Sequence, residues 1–230
     1  MDLFDNMSSQ ALHIADGAVL LRGFALHNEQ ILADLNLVLS QSTLRHMVTP
    51  GGFTMSVAMT NCGDLGWVTD KKGFRYDALD PSIGAPWQAM PTSFLQLANS
   101  AAARADYANF VPDACLINQY KVGARMSLHQ DKDEQDFSQP IVSVSLGCAA
   151  RFLFGDLKRS DKPSKILLQH GDVVVWGGKS RLNYHGIMPL QPQGLSPQNI
   201  PAKAGYSCVK ANIYEAFGAC RFNLTFRKAA

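Results

Sequence analysis

Near residue 111 the hydrophobic period of this chain changes from helical to extended, and few architectures accommodate that order. Upstream, Ile31, Leu32, Leu35, Val38 and Leu39 recur at helical spacing behind Asn28, which predicts an N-capped helix. Phe94, Leu95, Ala98, Ala101, Ala102 and Ala105 do the same. Pro91 and a Ser93…Gln96 capping-box pair are expected to open that second helix. Downstream come short segments rich in β-branched and aromatic residues: Cys115–Tyr120, Ile141–Leu146, Arg151–Phe154, Ile166–His170, Asp172–Trp176 and Arg221–Arg227. Helices followed by many short strands predict an α+β, mainly β fold, with the helices on one side of a β-sandwich or jelly roll. No tandem repeat interrupts the pattern. Thr49-Pro-Gly-Gly52 reads as a turn, and the Pro- and Gly-rich stretch within 186–219 reads as loop.

Composition excludes several classes. With 21 Lys+Arg against 19 Asp+Glu in 230 residues, the net charge of +2 rules out a strongly electropositive nucleic-acid coat but not a local basic rim. The Met1-Asp-Leu-Phe-Asp5 start lacks the pattern of a signal peptide, and no apolar run approaches the ~20 residues of a membrane span. The five cysteines are scattered without a C-x-x-C, which argues against zinc fingers and a disulfide framework. The chain is expected to be soluble and cytoplasmic, with no membrane partner. Two local motifs are decoys. Gly177-Gly-Lys-Ser180 has Val173 where a phosphate-binding loop needs glycine, and the Asn223-Leu-Thr225 sequon means nothing without secretion.

His129-Gln-Asp131 carries the most chemistry. Residues two apart on an extended segment point to one side, so a single strand can offer imidazole and carboxylate to one ion. His185, after the apolar Asp172–Trp176 run, is the best third ligand. Two histidines and a carboxylate leave three positions open on an octahedral metal, as in non-haem Fe(II) oxygenases. H-x-D also occurs by chance, so the motif alone leaves a metal-free reading open. In Arg221-Phe-Asn-Leu-Thr-Phe-Arg227, the residues Arg221, Asn223, Thr225 and Arg227 share one face, opposite Phe222, Leu224 and Phe226. If that polar face is buried, two guanidinium groups call for an acidic ligand; if it is solvated, they call for nothing. Leu116, Asn118 and Tyr120 form another line suited to an oxyacid, with Leu116 packing against its methylenes.

Longer blocks extend these motifs: Met47-Val-Thr-Pro-Gly-Gly, Met55-Ser-Val-Ala-Met-Thr-Asn-Cys-Gly, Ser127-Leu-His-Gln-Asp-Lys-Asp-Glu134 and His170-Gly-Asp-Val-Val-Val-Trp-Gly-Gly. With them the chain, from about Gly17 to Lys228, resembles the AlkB family of Fe(II)- and 2-oxoglutarate-dependent dioxygenases, which remove alkyl groups from damaged nucleobases. The resemblance implies one domain over 1–230. Helices and a nucleotide-recognition lid would occupy about 1–110 and a double-stranded β-helix (jelly roll) about 111–230. It implies Fe(II), 2-oxoglutarate and dioxygen as cofactors, with His129, Asp131 and His185 as iron ligands. Asn118, Tyr120, Arg221, Asn223 and Arg227 would contact 2-oxoglutarate, Arg227 at its distal carboxylate. Trp67, Phe74, Arg75, Tyr76, Asp133 and Arg159 would contact substrate. That substrate would be 1-methyladenine or 3-methylcytosine in alkylated single-stranded DNA, with RNA a further one, acted on by a monomer.

The chain departs from the family pattern in three places. Phe74 stands where a tyrosine is expected, Asp156 replaces a glycine, and the spacing from His185 to Arg221 is long, which predicts an inserted surface loop over 189–219. Rival readings are the same oxygenase chemistry on a protein or other substrate, a non-catalytic jelly-roll binding module, and a zinc hydrolase. The paired arginines have no obvious use in the last.

Overall fold

The computed structural model describes residues 11–192 and 219–230. A hairpin of β1 (Ala11–Ala15) and β2 (Ala18–Leu21) precedes α1 (Glu29–Gln41). The Asn28 side chain accepts from the Ile31 amide, as the sequence predicts, and Ile31, Leu35 and Val38 are buried. Next come β3 (Arg45–Val48), β4 (Thr54–Gly63), β5 (Gly66–Asp70), β6 (Gly73–Asp77), β7 (Leu79–Asp80) and β8 (Ala85–Pro86). In α2 (Thr92–Arg104) the expected capping box does not form. Pro91 is the N-cap without a side-chain bond, and the Ser93 hydroxyl donates instead to Asp34 of α1, tying helix to helix.

The remaining strands are β9 (Ala114–Tyr120), β10 (Met126–His129), β11 (Ile141–Gly147), β12 (Ala150–Phe154), β13 (Ser164–Leu168), β14 (Val173–Trp176), β15 (His185–Ile187) and β16 (Arg221–Arg227). The large sheet has the order β1-β2-β14-β11-β16-β9-β4-β3, and the small one β10-β15-β12-β13. One core lies between the helices and the large sheet, where Leu35, Phe94 and Ala101 meet Val144, Leu224 and Phe226. A second lies between the sheets, where Leu116 and Trp176 meet Phe152 and Ile187. This is the expected jelly roll with helices on one side.

The division near residue 111 is less clean than the sequence suggests. β1 to β4 come from the first half yet complete the large sheet. Their signal is weak because Ala18–Leu21 and Val57–Cys62 are buried on both faces, so no alternation marks them. β13 ends at Leu168 rather than His170. His170 sits in the following turn and accepts a hydrogen bond from the Gly147 amide.

β16 keeps the predicted alternation, but all seven residues are buried. Its aromatic face meets the helices, and its polar face looks into the space between the sheets. That excludes the solvated reading of the two arginines. The Gly178–Ser180 segment is a single 3-10 turn, with Lys179 on Asp16 and the Ser180 hydroxyl on the Asp16 carbonyl, so no phosphate loop forms. At the start of the predicted insertion Leu190 is buried and pairs its backbone with Gly123 and Ala124. The rest of that stretch, 193–218, lies outside the described residues. Among the described residues no helix is long and apolar enough to cross a membrane.

Candidate active site

The site begins with a strand pair. β10 and β15 run antiparallel with His129 directly opposite His185, which brings their ring centroids within 4.4 Å. The close approach depends on Gly186. A Cβ there would lie 2.7 Å from the Met126 carbonyl oxygen and 3.2 Å from the Leu128 nitrogen. The chain then carries Asp131 past the end of β10, so that one ligand atom from each of the three side chains lies within 4.8 Å of the others.

Hydrogen bonding fixes which nitrogens face inward. Nδ1 of His129 is 2.8 Å from the Ser127 carbonyl, and Nδ1 of His185 is 3.0 Å from that of Asn183. A carbonyl only accepts, so the satisfied tautomer carries its proton on Nδ1 and leaves the Nε2 lone pair toward Asp131. These Nε2 atoms are 3.6 and 3.7 Å from the Asp131 oxygens. Burial, with the neighbouring His129, pulls His185 down to about 4 and keeps it neutral. Burial also opposes ionisation of Asp131, but the charge and hydrogen bonds of the Arg227 guanidinium outweigh it and hold the carboxyl well below its usual range. Two imidazoles and one carboxylate converging on a point are a donor set for a divalent ion.

β9 and β16 supply the facing wall. Register places Arg221 opposite Tyr120, Asn223 opposite Asn118 and Thr225 opposite Leu116, and these side chains close on the same cavity as the triad. Arg221 is 1% exposed; Nη2 donates to Ser145 Oγ at 2.9 Å and the guanidinium lies over the Tyr120 ring, but Nε and Nη1 have no hydrogen-bond partner among the described residues. Burial lowers its pKa and pushes the Tyr120 phenol up to about 12. A buried cation with two unmet donors, near a neutral phenol, is a seat for a carboxylate. The residues therefore fit both a metal ion and a dicarboxylate.

Arg227 corrects one expectation. Its Nη2 and Nε lie 2.6 and 3.0 Å from Asp131 Oδ2, so it stands beside the metal triad and not at the far end of the cavity. Arg221, beside Tyr120 and Ser145, is the other arginine lining the cavity.

Over the mouth, β5 and β6 form a hairpin. The Trp67 indole donates to Asp133 Oδ2 at 2.7 Å and stacks on Phe74 with ring centroids 5.7 Å apart. Phe74 itself is half exposed. Tyr76 turns inward and donates to Glu134. Arg75 is engaged with Asp70 and Asp77, and Arg159 lies exposed in the loop between β12 and β13. The structure thus gathers Trp67, Phe74, Tyr76 and Asp133 near one another, with Arg75 lining the same pocket as Phe74, Tyr76 and Asp133. Sequence reasoning missed Ser145, Arg181 and Glu134. Glu134 closes the Ser127–Glu134 block and was within reach. Ser145 and Arg181 carry no motif, and only the folding of distant segments brings them in.

The description "2OG-Fe(II) oxygenase superfamily" matches residues 17–227, almost the whole described fold. This chain belongs to that superfamily. It is 54% identical over 230 residues to the alpha-ketoglutarate-dependent dioxygenase AlkB of Escherichia coli K12, covering 100% of this chain and 98% of that one. It is 37% identical over 125 residues, 54% of its length and 36% of the relative's, to the DNA N(6)-methyladenine demethylase ALKBH1A of Arabidopsis thaliana. The solved structure of OsALKBH1 superposes with a TM-score of 0.76 at 31% identity, covering 95% of this chain and 100% of that one. The oxygenase accordingly uses Fe(II), 2-oxoglutarate and dioxygen, and the His129, Asp131, His185 triad fits the iron.

Proposed function

We propose that this oxygenase removes N-alkyl groups from nucleobases, foremost 1-methyladenine and 3-methylcytosine in single-stranded DNA, with RNA as a further substrate. Nucleic acid is the substrate class its relatives are named for. The observation that carries the reading is the pairing of an iron-type triad with a stacked, half-exposed Trp67–Phe74 platform held by an anion. Iron with 2-oxoglutarate and dioxygen supplies the power to oxidise the N-methyl carbon, which leaves as formaldehyde while the cosubstrate leaves as succinate and carbon dioxide.

The protein's part is position and field. His129, Asp131 and His185 hold the metal. Arg221 and Tyr120, with Asn118, take the distal carboxylate of 2-oxoglutarate, and Leu116 packs on its methylenes. Arg227 orients Asp131 and the cosubstrate end beside it, with Asn223 lining the wall between. A base must leave its stack to reach this cavity, so a single strand is the easier substrate. Trp67 would cover the flipped base, and Phe74, Arg75, Tyr76 and Arg159 would contact the strand.

Asp133 gives selectivity. The Trp67 indole fixes its carboxylate without cancelling the charge. 1-Methyladenine and 3-methylcytosine are cationic near neutral pH, whereas 1-methylguanine is neutral. An anion and an indole face both favour the cation. Unit charges ~4 Å apart attract by about 4 kcal/mol at an effective dielectric of ~20, before desolvation. About 1–3 kcal/mol of that is expected to survive, roughly tenfold to a hundredfold in kcat/KM.

The test is formaldehyde release from matched oligonucleotides carrying each base, with Asp133→Asn beside the parent protein. The parent should turn over the cationic bases, and the variant should lose more on them than on 1-methylguanine. Equal losses, or none, would remove Asp133 from this role. Formaldehyde from a methylated peptide but from no oligonucleotide would favour the rival substrate class. No consumption of 2-oxoglutarate with any substrate would favour a binding module.

A further inference from the structure

Glu134 takes no part in the reading above, yet three separate elements converge on it. It is 6% exposed. The Tyr76 hydroxyl of β6 donates to Oε1 at 2.7 Å, and Arg227 Nε of β16 lies 3.3 Å from that same oxygen. Arg181, directly after the 3-10 turn, places Nη2 3.0 Å from Oε2. Arg181 also donates to the carbonyls of Asp131 at 2.8 Å and Gln139 at 3.0 Å, so the segment behind the metal ligand is pinned at both ends.

A structural ion pair needs one carboxylate and one arginine. Here the Arg227 fork is divided between two carboxylates, Asp131 on the metal side and Glu134 on the lid side. Both carboxylates meet the Nε/Nη2 edge, with Nε 3.0 Å from Asp131 Oδ2 and 3.3 Å from Glu134 Oε1, so the two anions together fix the plane on which a bidentate contact depends. The lid hairpin hangs from the same Glu134 oxygen through Tyr76.

We infer that Glu134 is a positioning residue that sets the plane of the Arg227 fork and tethers the β5–β6 hairpin to the metal site. The inference rests on the reading of Arg227 as a cosubstrate contact.

The two duties can be separated by substitution. Glu134→Gln keeps a carbonyl for the Tyr76 hydroxyl but removes the charge that holds Arg227. Tyr76→Phe cuts the tether and leaves the ion pairs. Both changes are close to isosteric, so the fold should survive. Two quantities are read without turnover: 2-oxoglutarate affinity by equilibrium dialysis with Mn(II), and amide hydrogen exchange of residues 66–77.

Glu134→Gln should weaken 2-oxoglutarate about tenfold and leave hairpin exchange within about twofold. Tyr76→Phe should speed hairpin exchange about tenfold and leave the affinity within about twofold. Arg227→Lys is the control and should weaken 2-oxoglutarate by itself. If Arg227→Lys weakens binding and Glu134→Gln does not, the positioning role is wrong. If Arg227→Lys has no effect, the reading beneath it fails instead. Unchanged hairpin exchange in Tyr76→Phe, or faster exchange spread over the whole chain, overturns the tether.

Discussion

Gly186 shows how a missing side chain can decide a metal site. Any Cβ there would press on the backbone of β10, which carries His129 on its far end. Gly186→Ala should therefore separate the two histidines and weaken Fe(II) or Co(II) binding about tenfold or more, seen by metal titration. Normal affinity would mean that β10 shifts freely. Gly66 offers the contrast. It lies flat on the Trp87 ring, next to Trp67 and away from the triad. Gly66→Ala should keep metal affinity and lower turnover on oligonucleotide, because only the lid is displaced. His129→Ala, Asp131→Ala and His185→Ala should each abolish turnover, since each removes one ligand of three; near-normal activity at limiting iron would acquit that residue. Residue identities of this kind were readable from H-x-D and R-x-N-x-T-x-R. The partners were not: Ser145 and Arg181 are ordinary residues until strand pairing places them.

Elements were legible where one face differs from the other. α1 and β16 meet that condition, and their bounds follow the sequence closely. β2 and β4 do not, because burial on both faces erases the alternation that a single chain displays. Capping on α2 misled for another reason: Ser93 found a better acceptor in Asp34, a tertiary contact no local rule contains. The turn before β14 yields a pH prediction. Burial lowers His170 to about 4, against the opposing charge of Asp172, so its ring stays neutral and accepts from the Gly147 amide. Between about pH 6.5 and 4 the unfolded chain binds a proton there that the folded chain refuses. Stability is thus full above that window and falls as the pH drops through it, by on the order of 1–3 kcal/mol. His185 adds to the same trend in the metal-free protein. Urea melts at pH 6.5 and 4.5 should show the fall, and His170→Asn should flatten it in part. Identical slopes would exclude His170 as a source.

Across the whole molecule the cavity between the sheets is the place where the fold gains most from its ligands. Buried Arg221 holds two unmet donors toward it, and His129, Asp131 and His185 converge on one point, an arrangement for groups the polypeptide does not itself contain. Binding to the folded state alone stabilises by about 2.7 kcal/mol at a hundred times Kd, and a chain of this size gains about 2–4 °C per kcal/mol. Mn(II) with 2-oxoglutarate should then raise Tm by about 5–10 °C, and either alone by less. A scan that shows no shift would argue that the cavity is preformed for neither. The succession of sheet strands carries a further consequence, for biosynthesis. β16 follows every other strand of the large sheet along the chain, yet it lies between β11 and β9 near the middle of that sheet. While a ribosome is still translating residues 221–227, the sheet is therefore two half-sheets with bare inner edges, and no cosubstrate wall exists. Every nascent chain passes through that open state, and a message truncated before codon 221 would leave its product there, a substrate for chaperones and proteases rather than a weak enzyme.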